Sequence, residues 1–298
     1  MPAVQMRYIV KGKVSEVKSF DEAIIRYSTR GRGLPIVTCN GVANTTTFWH
    51  FFEDHFSKMA KVICWDYRGH GRSEIPENLD TFTIECYAKD LKAVLDHAGI
   101  EKAVLVGFSM GAQVILEFYR DNADRVLALI PLNGPCANPL EAFGTSKWFE
   151  NAYTKAFEYF IKNPDILDSL AKRLLPSDLA WQFAKLVEID GKRAPRLDMD
   201  LYFEHIAKMG VANELRALLG MARHSAEDVL EKVNVPTLVI AGEKDGMCPQ
   251  RLVKRIHRGI KGSELFIVPG GSHATLIEMP DLVNFRIETF LRKHNLIN

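Results

Sequence analysis

With 298 residues, 47% of them hydrophobic and 25% charged, the chain has the composition of a globular protein large enough to bury a substantial core. Its 38 basic and 37 acidic residues give a formal net charge of +1 and are spread along the sequence, which leaves no electrostatic footprint for nucleic acid or an anionic membrane. The 5 cysteines are scattered, odd in number and without a Cys-x-x-Cys pair, so they read as reduced thiols rather than a zinc site; with no signal-like apolar region and no membrane-length run, the expectation is a cytoplasmic protein with no membrane span.

Short apolar runs rich in Val, Ile and Leu recur along the chain at residues 23–27, 35–39, 62–65, 103–106, 127–132, 237–241 and 265–268. They do not alternate, which is the pattern of strands covered on both faces. Helices are predicted between them near residues 47–59, 83–97, 112–120, 250–258 and 282–294; in the second, Cys86, Leu91, Val94 and Leu95 fall on one face. Alternating strands and helices predict an α/β fold around a mainly parallel sheet.

The rhythm breaks between 136 and 228, where aromatic and charged residues recur at helical spacing without a strand run. Trp148, Phe149, Tyr153, Phe157, Tyr159, Phe160, Trp181, Phe183, Tyr202 and Phe203 belong to this stretch. It is read as an inserted helical cap over a core formed by residues 1–135 and 229–298. Most of these aromatics fit a small core or a seam, and a cap over an active site must also present some of them to a substrate.

Gly107-Phe108-Ser109-Met110-Gly111 lies between a strand run and a helical one. Glycines at that spacing allow a sharp strand-to-helix turn that lifts the serine hydroxyl above the sheet and sets the Met110 amide beside it. A serine hydroxyl needs a base to take its proton and a third group to orient that base. The run ending at 241 is followed by Gly242-Glu243-Lys244-Asp245, which puts a carboxylate just past a strand, with Glu243 a rival to Asp245. The run ending at 268 is followed by Pro269-Gly270-Gly271-Ser272-His273. Among the 9 histidines only His273 follows a strand and glycines in the order this chemistry needs.

An oxyanion needs two N–H donors, and Met110 supplies one. The second is assigned to Val42, in the loop Asn40-Gly41-Val42-Ala43-Asn44 after the 35–39 run. Asn40, Phe48, Trp49 and Phe108 adjoin these positions in sequence and are candidate substrate contacts, although each aromatic also fits ordinary packing. No motif asks for a cofactor or a metal.

The chain resembles the α/β-hydrolase superfamily, of the esterase, monoglyceride-lipase and cofactor-free haloperoxidase kind. The resemblance rests on Asp66-Tyr67-Arg68-Gly69-His70-Gly71-Arg72-Ser73, on Gly107 to Gly111, on the stretch from Val235 to Asp245 and on Gly270-Gly271-Ser272-His273. It implies an eight-stranded sheet flanked by helices, Ser109 as nucleophile, Asp245 rather than Glu243 as acid and His273 as base, with Asp66, Arg68 and Ser73 architectural. Dehalogenases and epoxide hydrolases of this fold carry aspartate at the elbow, so Ser109 argues against both. Two departures stand out: Asn40-Gly41 replaces the common His-Gly, and Ala112 replaces a common glycine. The implied function is a carboxylesterase acting on small to medium apolar esters through an acyl-enzyme. Other acyl bonds (lactone, thioester, amide, carbon-carbon), perhydrolysis and slow-turnover sensing are the alternatives, and a homodimer is left open.

Overall fold

A computed structural model describes residues 11–142, 146–175 and 177–298. Eight strands, β1 (Lys13–Lys18), β2 (Ile24–Gly31), β3 (Pro35–Cys39), β4 (Lys61–Trp65), β5 (Ala103–Phe108), β6 (Val126–Leu132), β7 (Leu238–Gly242) and β8 (Glu264–Val268), form one sheet in the order β1-β2-β4-β3-β5-β6-β7-β8. The β1–β2 and β2–β4 pairs are antiparallel, and every later pair is parallel. The seven strands expected from apolar runs are all present. The eighth, β1, was not among those runs because Lys-Val-Ser-Glu-Val-Lys is an exposed edge whose lysines and glutamate leave no apolar signature.

The helices are α1 (His50–Phe56), α2 (Ile84–His97), α3 (Met110–Asn122), α4 (Lys147–Lys162), α5 (Pro164–Leu174), α6 (Asp178–Val187), α7 (Arg196–Met209), α8 (Val211–Arg223), α9 (Glu227–Leu230), α10 (Gln250–Gly259), α11 (Thr275–Glu278) and α12 (Pro280–Lys293). The single helix predicted at 47–59 is instead a 3-10 turn, Thr46–Trp49, running into α1. Successive strand residues feed opposite faces of the sheet. Val37, Ile63 and Leu105 pack with α2, α3 and α10, whereas Ile36, Val62 and Val104 pack with α1 and α12.

Helices α4 to α8 all lie between β6 and β7, and among the described residues that interval contains no strand. Its aromatics divide: Phe203 is buried, Trp148 is 76% exposed, and Trp181 lies under the Arg196 guanidinium at 4.9 Å. The side chains of Phe149 and Phe183 lie outside the described residues.

The loop after β4 is held by buried charge. Arg68, with no exposed surface, pairs with Asp90 at 2.6 Å and Asp21 at 2.7 Å; Asp66 accepts from Thr46 N at 2.8 Å and from Arg72 Nε at 3.0 Å. Ser73 Oγ donates to the Asp66 carbonyl at 2.6 Å and accepts from Arg26 N at 2.8 Å. These residues build the turn.

Strand order reverses at β3, which lies between β4 and β5. Such a switch opens a crevice beyond the carboxyl ends of the strands, because the following loops diverge to opposite sides. The loop after β3 and the turn after β5 both start there.

Candidate active site

Ser109 sits between β5 and α3 with φ 52° and ψ −116°. A non-glycine residue in such a conformation stores about 1–3 kcal/mol. The turn is possible because the backbones nearly touch. A Cβ on Gly107 would stand 2.2 Å from the Gly111 carbonyl oxygen, and one on Gly111 would stand 2.2 Å from that of Cys39. Ala112 is fully buried, and the space for its methyl comes from Gly134 opposite, where a Cβ would fall 2.5 Å from that of Ala112.

The three side chains expected to act together form one buried hydrogen-bonded row. His273 Nε2 lies 3.1 Å from Ser109 Oγ, and His273 Nδ1 lies 2.8 Å from Asp245 Oδ2. An ionised carboxylate only accepts, so Nδ1 carries the proton and Nε2 faces the serine hydroxyl as acceptor. Asp245 Oδ1 accepts from Cys248 N at 2.7 Å, which fixes the carboxylate plane. Burial alone would lower the pKa of His273, but the charge and hydrogen bond of Asp245, aided by Glu188 and Glu278, outweigh it and hold the imidazole above its ordinary value.

Glu243 is engaged elsewhere. Its Oε2 accepts from Gly270 N at 2.7 Å, tying the loop after β8 to that after β7.

The loop after β3 abuts the elbow: a Cβ on Gly41 would lie 3.1 Å from the Phe108 ring, and one on Gly111 would lie 3.0 Å from the Asn40 carbonyl oxygen. Met110 opens α3, so its amide belongs to the unpaired first turn of the helix. Val42 is partly buried, and Ala43 takes a positive φ of 55° to carry the chain around.

Two candidate substrate contacts need correction. The Asn40 side chain donates to the Trp65 carbonyl at 2.9 Å and accepts from Trp49 Nε1 at 2.7 Å, while its carbonyl accepts from Tyr67 Oη at 2.9 Å. Asn40 and Trp49 both have 0% exposed surface, so they brace the loop from beneath. Adjacency in sequence does not say which way a side chain turns. Phe48 and Phe108 stack at 5.3 Å between centroids, and the Phe108 ring lies 5.2 Å from that of His273, so this pair backs the imidazole.

Three residues not singled out in the sequence hold the loop that carries His273. The Glu188 carbonyl accepts from His273 N at 3.1 Å and from Ser272 Oγ at 2.9 Å. Glu278 Oε1 accepts from Ser272 Oγ and from Asp190 N, each at 2.6 Å. The Asn133 amide reaches the carbonyl of Ser272 at 3.0 Å. Asn133 does follow a strand run directly, a signal of the same kind as those that marked Ser109 and Asp245; Glu188 and Glu278 carry none.

Four of the 5 cysteines are buried and Cys86 is partly so; all are free, and burial pushes the Cys39 and Cys136 thiols up to about 12, far from reactive thiolates. Among the described residues no group of three or more His, Cys, Asp and Glu could hold a metal, and no helix is long and apolar enough to cross a membrane.

A family model described as the alpha/beta hydrolase fold matches residues 35–280. The AB hydrolase superfamily protein YisY of Bacillus subtilis is 26% identical over 283 residues, covering 92% of this chain and 97% of its own. Epoxide hydrolase 3 of Xenopus tropicalis is 26% identical over 259 residues, covering 84% of this chain and 69% of its own. Among solved structures, a thermophilic esterase from Thermogutta terrifontis superposes with a TM-score of 0.76 at 24% identity, over 95% of this chain and 99% of that one, a likeness of fold.

Proposed function

The chain belongs to the alpha/beta hydrolase fold family, and we propose that it is a serine hydrolase that cleaves carboxylic esters through an acyl-enzyme. The observation that carries this reading is the buried row from Asp245 through His273 to Ser109, at 2.8 and 3.1 Å, ending on a serine held at positive φ. In that arrangement His273 Nε2 takes the hydroxyl proton as Ser109 Oγ attacks the ester carbonyl. His273 then returns the proton to the departing alcohol, and water repeats the cycle to release the acid. Asp245 keeps the proton on Nδ1 and stabilises the imidazolium. The amides of Val42 and Met110 receive the negative oxygen, where one lost donor costs about 3 kcal/mol of transition-state stabilisation.

The epoxide hydrolase likeness does not redirect this reading, because the family resemblance implies an aspartate at the elbow for epoxide hydrolysis and this chain has Ser109 there. Lactones, thioesters and other acyl bonds pass through the same oxyanion and fall within the same mechanism. The segment 136–228 is proposed as the cap that selects the substrate. This is supported by the helices α4 to α8 between β6 and β7 and by the bond from His273 N to the Glu188 carbonyl.

The test is steady-state hydrolysis of p-nitrophenyl butyrate together with labelling by a fluorophosphonate. Multiple turnover that disappears in Ser109→Ala, with the label on Ser109, supports the reading. An unlabelled Ser109 after prolonged exposure, or a single burst without steady turnover, overturns it.

A further inference from the structure

The sheet is thinnest where the site needs it most. Ser109 stands at the end of β5, whereas Asp245 and His273 follow β7 and β8, so the row crosses the β6–β7 seam. Strands β5 and β6 pair from Ala103 with Val126 to Phe108 with Leu132, with one register shift between Ala103 and Val104, and β7 and β8 pair from Leu238 with Glu264 to Gly242 with Val268. Between β6 and β7 the register holds only Leu132 with Ile240, plus an isolated bridge between Leu129 and Thr237. Two well-built halves, one bearing the serine and the other its partners, meet along a weak join.

Asn133 closes that join. It is fully buried and takes a positive φ of 48°, a conformation in which asparagine is several-fold enriched over other side-chain-bearing residues. Its backbone N donates to the Ile240 carbonyl at 2.9 Å, and its Oδ1 accepts from Gly242 N at 3.0 Å, both on the strand that leads to Asp245. Its Nδ2 faces the carbonyls of Ser272 at 3.0 Å and His273 at 2.5 Å and the Thr275 Oγ1 at 3.0 Å, all on the base loop. On the other side, the carbonyl of the preceding Leu132 accepts from Ser109 N at 2.9 Å. Two adjacent residues thus touch the backbones that carry all three members of the row.

We propose that Asn133 is a positioning residue that sets the separation of the acid and base loops from the nucleophile, so that the His273–Asp245 and His273–Ser109 distances are fixed from β6. The assignment deepens the ester-hydrolase reading and rests on it. An amide suits this role, since one atom must accept from an N–H while the other donates to carbonyls, and both ends are neutral beside the charged Asp245. Aspartate at the same position would turn an acceptor toward the two carbonyls.

The experiment uses Asn133→Gly, which keeps the positive φ and removes every side-chain bond, and Asn133→Asp, which keeps the shape and removes the donors. Wild-type turnover of p-nitrophenyl butyrate and fluorophosphonate labelling of Ser109 are read first. Their failure removes the ester-hydrolase reading itself, before any variant is interpreted. With both in place, kcat per phosphonate-titrated site is expected to fall about tenfold to a hundredfold in each variant with KM nearly unchanged, the cost of a sub-ångström misplacement. The acid limb of kcat/KM should also move to lower pH. His273 then loses part of the hold of Asp245 while still facing Glu188 and Glu278. Variants that melt earlier yet keep wild-type kcat per titrated site and an unmoved acid limb would show a merely structural role and overturn the assignment. If Asn133→Gly does not fold, Asn133→Asp decides by the same two readouts.

Discussion

The rings of His70 and His205 stand 6.0 Å apart, one in the loop after β4 and the other on α7, so two imidazoles meet where the helical insertion lies against the sheet domain. Both are buried. His70 Nδ1 donates to the Arg68 carbonyl at 3.0 Å, and its Nε2 has no hydrogen-bond partner among the described residues; His205 Nε2 accepts from Gly71 N at 3.4 Å. Burial, reinforced for His70 by the neighbouring His205 and for His205 by Lys208, lowers each pKa to about 4.

The contact predicts an acid-sensitive seam. Each folded-state pKa lies below the ordinary 6.5, so between about 4 and 6.5 the unfolded chain binds more protons than the native one, and stability rises with pH. The contribution is present above 6.5 and lost as pH falls through that window, at most about 3 kcal/mol per histidine. Urea unfolding at a series of pH values should show this slope, and His205→Gln should flatten it. An equally steep curve in the variant would refute the assignment.

The strained elbow predicts a trade between activity and stability. Ser109→Gly keeps the positive φ without its steric cost and deletes the proposed nucleophile. It should be inactive and more stable by about 1 kcal/mol, a rise in Tm of roughly 2 °C for a chain of this size. Ser109→Ala should lose activity without the gain, because alanine keeps the strain. A glycine variant that melts no higher than the alanine variant would show that the turn is not strained.

The two carboxylates after β7 are separable by kinetics. Asp245→Asn should cost on the order of 10⁴ in kcat, because the wrong tautomer of His273 is then favoured. Glu243→Gln should cost less than about tenfold, since an amide oxygen can still accept from Gly270 N. Asp245 raises the His273 pKa, and the base works only when neutral. The wild-type kcat/KM should therefore fall on the acid side with a midpoint above the ordinary imidazole value, and that midpoint should drop in Asp245→Asn. Equal losses in the two variants would defeat the distinction.

What was legible in the sequence depended on what each residue faces. Strands such as β5 and β7 announce themselves because burial on both faces demands unbroken apolar runs, and Ser109, Asp245 and His273 stand out in the sequence because each follows a strand run. Strand β1 was hidden because an exposed edge needs lysine more than valine. Asn40 and Trp49 were misplaced as substrate contacts because a loop sequence does not record that the amide turns down to Trp65 and the indole to the amide. Asn133 escaped because its partners are backbone groups more than a hundred residues away, and backbone groups leave no mark on sequence pattern.

The carbonyl of Glu188 accepts from both His273 N and Ser272 Oγ, and two residues on, Asp190 N is held by Glu278. The connection between α6 and α7 is therefore an interlock. Carrying Glu188 outward by about 1 Å takes both of its bonds past useful hydrogen-bond length. The helical insertion and the loop that carries His273 are thus joined backbone to backbone, so a shift in one is passed to the other without any side chain of the row taking part.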